Sequence, residues 1–227
     1  MWRAQIFTLY PEIYPGLLGK GLYGKALQNK LWDLKVTNIR DATEDKHKTV
    51  DDTPFGGGSG MLLKADVLAK SIDQNKKKDE RIFYLSPKGK KLDQKLAIEL
   101  SKEKSISLIC GHFEGVDERI LKTRNIEELS VGDFILSGGE TASFVVLDSI
   151  LRLLPGVLGN EHSKKEESFE NGLLEYPQYT KPQIWEQKSV PDVQLKQQKE
   201  NVARLRLNLI ENVVVTISTN NLTKTRV

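Results

Sequence analysis

Apolar runs alternate with stretches of helical spacing along the first two thirds of the chain, and this alternation restricts the fold more than any other feature. Strand-like runs stand at 2–10 (WRAQIFTLY), 34–39 (LKVTNI), 82–85 (IFYL), 106–110 (ISLIC) and 133–136 (DFIL). Helical patterns fall between and after them, near 17–31, 64–73, 92–103, 116–124 and 140–154. Strands joined by helices predict an α/β domain, a mostly parallel sheet with helices on both faces. After LLPGVLGN the texture changes. Residues 155–182 are broken by proline and glycine without a clear period, and VQLKQQKENVARLRLNLIENV then reads as one helix. This predicts a linker and a small helical appendage. The expected boundaries are 1–157 for the α/β domain, 158–182 for the linker and 183–227 for the appendage.

With 227 residues the chain can bury a sizeable core. No apolar run approaches the roughly 20 residues that span a bilayer, and MWRAQIFTLYPEIYPG has neither the basic start nor the small-residue cleavage site of a signal peptide. A cytoplasmic protein without membrane contact is expected. The single cysteine, Cys110, excludes an intrachain disulfide framework and a cysteine-cluster zinc site. Its apolar neighbours in ISLIC predict a buried small residue, since a reactive thiolate wants a polar, electropositive surround. From Gln183 onward seven basic residues face four acidic ones, so the net charge of +3 resides in that stretch. A basic tail is compatible with a phosphate-rich partner, although charge runs are usually just solvated faces.

The stretch PFGGGSGM at 54–61 is not a phosphate loop, because Met61 and Leu62 follow Gly60 where a Walker motif needs lysine and a hydroxyl residue. Nor is it a dinucleotide fingerprint, because no strand pattern leads into it. A long flexible loop is the local reading. In open α/β sheets ligands collect beyond the carboxyl ends of the strands. Three late strands there run into YLSPKGKKLD (84–93), CGHFEGVDER (110–119) and SVGDFILSGGE (130–140). Each contains glycine, which lets backbone approach a ligand closely. Ordinary β-to-α turns would look the same.

TVDDTPFGGGSGM, YLSPKGKKLDQ, CGHFEGVDER, VGDFILSGGE and PGVLGNEHSKKEESFENGLLEYPQYTKP, in this order, resemble the bacterial tRNA (guanine-N(1)-)-methyltransferases, a family of the SPOUT class. The likeness runs from Trp2 to about Pro191. It implies a C-terminal trefoil knot in the α/β domain, a homodimer, tRNA rather than DNA as partner, and methyl transfer from S-adenosylmethionine to N1 of the guanosine immediately 3′ of the anticodon. Matching positions for the methyl donor are Tyr84, Leu85, Ser86 and Pro87, then Gly111 and Glu114, then Val131, Gly132, Asp133, Phe134, Ile135 and Leu136, and finally Gly138 and Gly139. Asp51, Gly57 and Gly58 would border the target base.

The chemistry calls for a general base to take the guanine N1 proton and a cation to steady charge at O6. The resemblance implies Glu167 as base, standing where the family has aspartate, and Arg152 as its helper. Glu114, Glu167 and Glu175 would be the acidic groups for a magnesium ion. His47 and His112 are expected to bond or face RNA rather than act as bases. A homologue that only binds RNA or the donor is the alternative. A nucleotide-dependent oxidoreductase is disfavoured by the lack of GxGxxG after the first strand.

Overall fold

The computed structural model describes residues 1–77, 80–158 and 177–191. Two compact units divide the chain, Met1–Gly159 and Asn160–Val227. The first contains, in order, β1 (Trp2–Thr8), α1 (Gly21–Gln28), β2 (Trp32–Asn38), β3 (Asp51–Asp52), β4 (Leu62–Leu63), α2 (Ala65–Asn75), β5 (Arg81–Lys91), α3 (Gln94–Ser101), β6 (Ser105–Ile109), α4 (Glu118–Thr123), β7 (Glu127–Ser130) and α5 (Gly139–Leu151). Short 3-10 turns at Pro11–Ile13, Gly16–Gly19 and Ile39–Ala42 complete it.

Five strands form one parallel sheet in the order β2-β1-β6-β5-β7, and β3 and β4 pair separately as an antiparallel hairpin. The period-2 alternation of each strand divides its side chains between two cores. Trp2, Ala4 and Ile6 of β1, Phe83 and Leu85 of β5, and Ile106 and Leu108 of β6 join residues of α1, α3 and α5. Phe7, Ile82 and Ile109 point the other way and meet Val67, Leu68 and Ile72 of α2 with Ile120 and Leu121 of α4. The sheet is therefore covered on both faces, as the β/α alternation predicts. Asp93 caps α3 by accepting from the Leu96 N–H at 2.7 Å, and Asp117 caps α4 through the Arg119 N–H at 2.9 Å.

β5 carries an excursion that matters for the site. Leu85 and Lys90 both pair with Leu129 of β7, so residues 86–89 loop out of the ladder between them. Gly89 closes this loop against β7, where a Cβ would lie 2.3 Å from the Glu128 carbonyl carbon.

One strand expectation fails. DFIL at 133–136 is loop, and the strand is Glu127–Ser130. Phe134 is 54% and Ile135 81% exposed. Their apolarity, read as strand, belongs instead to a surface beside a cleft. In the second unit Ile184–Trp185 and Lys188–Ser189 form a short antiparallel hairpin that the sequence pattern did not suggest. Its turn residues Glu186 and Gln187 take positive φ. The helix expected over VQLKQQKENVARLRLNLIENV lies outside the described residues.

Candidate active site

Chain direction reverses across the sheet at β6: the step from β5 to β6 runs toward β1, and the step from β6 to β7 runs back past β5. A cleft opens at the carboxyl ends of these three strands, as expected for such a switch point. Its volume is about 260 Å³, and its walls come from Tyr84–Pro87, Gly111–Gly115, Leu129–Gly132, Phe134–Gly139 and Ala142.

Close backbone approach builds the cleft floor. The Gly139 N–H donates to the Gly111 carbonyl at 3.0 Å, and a Cβ on Gly139 would lie 2.6 Å from Cys110 Cα. The first turn of α5 is thereby pinned to the end of β6. Tyr84 packs across Gly111, where an added Cβ would meet its ring at 2.6 Å. Burial, with Glu128 and Glu118 nearby, raises the Tyr84 phenol pKa, so the ring remains a neutral wall. Ser130 Oγ donates to the Gly132 carbonyl and accepts the Gly132 N–H, which fixes the turn after β7.

The donor positions named from sequence converge here with one exception. Asp133 is absent from the cleft lining; its carboxylate pairs with Lys91 Nζ at 2.9 Å on the surface, 86% exposed. Side-chain direction within the 131–136 loop decides this, and sequence does not fix it. Sequence reasoning missed His112, Phe113, Gly115, Leu129, Ser130, Ser137 and Ala142 as lining residues. All of them stand inside or beside the three quoted loops, so reading each loop as a continuous wall would have found most.

The glycine loop at 54–61 is stapled to the cleft at its base. Glu114 N–H donates to the Met61 carbonyl and Leu63 N–H to the Gly115 carbonyl, both at 2.9 Å. Gly60 abuts Glu114, and a Cβ there would reach its Cγ at 2.3 Å. Asp51 pairs with Leu63 in the same hairpin. A Cβ on Gly57 or Gly58 would meet nothing within 4 Å. These two glycines take positive φ, so they serve the turn of a loop standing beside the cleft.

Arg152 is the C-cap of α5, about 20 Å along the helix axis from Gly139 at 1.5 Å rise per residue. It does not join the cleft of its own chain. Glu167 and Glu175 lie outside the described residues. Of the suggested metal ligands Glu114 alone is described, and no group of three His, Cys, Asp or Glu suited to a metal ion occurs among the described residues. Glu114 by itself does not make up a magnesium site.

Cys110 is fully buried, 3.4 Å from the Tyr14 hydroxyl, and burial pushes its thiol up to about 12. It is a packing residue. His47 sits in a turn around Asp45, whose carboxylate accepts the His47 N–H at 3.1 Å. Among the described residues no helix is long and apolar enough to cross a membrane.

A family model described as tRNA (Guanine-1)-methyltransferase TrmD matches residues 2–219. A tRNA (guanine-N(1)-)-methyltransferase of Pelagibacter ubique is 79% identical over 213 residues, covering 94% of this chain and 93% of that protein. Proteins of the same name from Bartonella tribocorum and Rhizobium etli are 53% and 52% identical, each covering 85% of this chain, with 82% and 83% of their own lengths matched.

Proposed function

Since this chain belongs to the tRNA (guanine-1)-methyltransferase family, we propose that it methylates N1 of the guanosine immediately 3′ of the anticodon in tRNA, using S-adenosylmethionine as methyl donor. The observation that carries this reading is the backbone-lined cleft at the carboxyl ends of β5, β6 and β7, in a chain of that family. The cleft suits the donor. Glycines at 111, 115, 132, 138 and 139 keep side chains out of its walls, so a ligand can come close to the main chain, and the apolar side chains of Leu85, Val131 and Leu136 offer contact for a purine and ribose.

When bound, the donor supplies an electrophilic methyl group on a sulfonium. The chain's own work is to hold that group and the target nitrogen in line, which is the larger share of the barrier, and to remove the N1 proton. Glu167 is the base in this reading and Arg152 the cation that steadies charge on O6. The glycine loop with Asp51, Gly57 and Gly58 borders the target base, which has to leave its stack to be reached.

A homodimer belongs to the same proposal. Arg152 stands a helix length from the cleft of its own chain, so its role requires the cleft of a second copy. Apolar exposure supports this: Ile13, Leu17 and Leu22 are 41%, 54% and 52% exposed, and Val145 of α5 is 48% exposed. Phe144 packs over Gly16, which places the two stretches side by side. The trefoil knot and a cytoplasmic setting are parts of this reading too.

Single-turnover methyl transfer to a tRNA transcript tests it. Product is expected with guanosine 3′ of the anticodon and not when adenosine replaces it. No transfer by pure, folded, donor-saturated protein overturns the proposal.

A further inference from the structure

Beneath the cleft a buried carboxylate ties three chain segments together. Glu140, in the first turn of α5, is 6% exposed. Its Oε1 accepts from Thr8 Oγ1 at 2.6 Å, and its Oε2 lies 2.8 Å from His112 Nε2. Thr8 Oγ1 in turn accepts the Tyr10 N–H at 2.9 Å, and the Tyr10 ring stands edge-on to His112 at 5.0 Å. A carboxylate this buried persists only with donors on both oxygens. The N-terminal turn of α5 adds a favourable field.

The segments joined are the end of β1, the loop after β6 and the entry to α5; the last two are cleft walls. Gly138 makes the junction possible. A Cβ there would lie 2.4 Å from His112 Cε1 and 2.8 Å from Glu140 Oε2. His112 also begins a turn that its carbonyl closes by accepting the Gly115 N–H at 3.1 Å. Phe113 within that turn has φ +59, in the left-handed region. Such a conformation is strained for a non-glycine residue and persists only when its surroundings hold it.

We propose that Glu140 and His112, seated on Thr8, are positioning residues that hold the 111–115 wall against the entry to α5 in its donor-binding shape. This rests on the reading of the cleft as the S-adenosylmethionine site. Carboxylate contact makes His112 Nε2 the donor nitrogen and fixes the ring. Loss of either partner frees the Phe113 turn, and donor affinity falls through geometry rather than through a lost direct contact.

Calorimetry with S-adenosylmethionine on the full-length protein decides it, with melting temperature measured alongside. His112→Ala and Glu140→Gln are each expected to weaken affinity by about tenfold or more, since small misplacements in such sites are costly. The double variant is expected to lose no more than about twofold beyond the worse single, because the residues act as one unit. His112→Gln retains an N–H donor for Glu140 and is expected to recover most of the affinity. Absence of binding by the wild type overturns the donor reading itself. Wild-type binding with an unchanged His112→Ala affinity overturns only the positioning role, as do additive losses in the double variant. If Glu140→Gln does not fold, the Ala and Gln variants at His112 decide alone.

Discussion

Gly139 shows how little room the cleft floor leaves. Its φ requires nothing unusual; what demands glycine is Cys110 Cα at 2.6 Å from where a Cβ would stand. That neighbour is backbone just past the end of β6, tied to β1 by the Cys110 N–H to Phe7 carbonyl bond at 2.9 Å, and it cannot swing aside. Gly139→Val is therefore expected to push α5 from β6 and abolish S-adenosylmethionine binding, which calorimetry reads directly. At Cys110 the expectation is chemical silence. With the thiol pushed up to about 12 by burial, a disulfide reagent at pH 8 should label the protein only on unfolding. The sign for stability follows: the unfolded thiol ionises near pH 8.5 while the folded one does not. This group's contribution is thus present below about pH 8.5 and is lost as pH rises from there toward 12. Glu167 is the residue on which the proposed chemistry depends. Glu167→Ala is expected to slow single-turnover methyl transfer roughly 10²–10⁴-fold while donor affinity stays near the wild-type value. A near wild-type rate beside a crippled Glu166→Ala would move the base to Glu166.

Among the elements, β5 is the one whose irregularity has a function. A strand paired without interruption would leave no wall on this side of the cleft. The excursion at 86–89 supplies Ser86 and Pro87 to it while Lys90 and Lys91 resume pairing with β7. Gly89 allows the closure. Gly89→Ala places a methyl 2.3 Å from the Glu128 carbonyl carbon and 2.3 Å from the Leu129 nitrogen. Overpacking against backbone costs about 1–3 kcal/mol, so a lower melting temperature and weaker donor binding are both expected. Intact affinity in a destabilised Gly89→Ala protein would show that the excursion tolerates a shift along β7.

For the whole molecule, the separation of Arg152 from the Gly139 end of α5 sets the prediction. If each active site combines the donor cleft of one chain with the base and cation of another, chains disabled at different ends complement. Mixing Gly139→Val with Glu167→Ala after subunit exchange is expected to restore part of the activity, up to one working site per mixed dimer. Equal inactivity after exchange proven by tagged pull-down argues for sites complete within one chain.

Sequence alone determined the α/β class, because apolar periodicity is local and survives in one dimension. It also marked the three glycine-bearing stretches that wall the cleft, although 86–89 is an excursion within β5 and 133–136 is loop rather than strand. Five motifs in register were specific enough to identify the family. What lay beyond it was direction in space. DFIL has the composition of a strand, yet β7 ends at Ser130 and the apolar residues stand exposed at the cleft. Asp133 stands within a quoted loop and turns outward to Lys91. The contact of Glu140 with Thr8, 132 positions apart in the chain, has no local signature. Such pairings follow from how the parallel strands are ordered and from which backbone segments approach closely, and only the packed chain settles both.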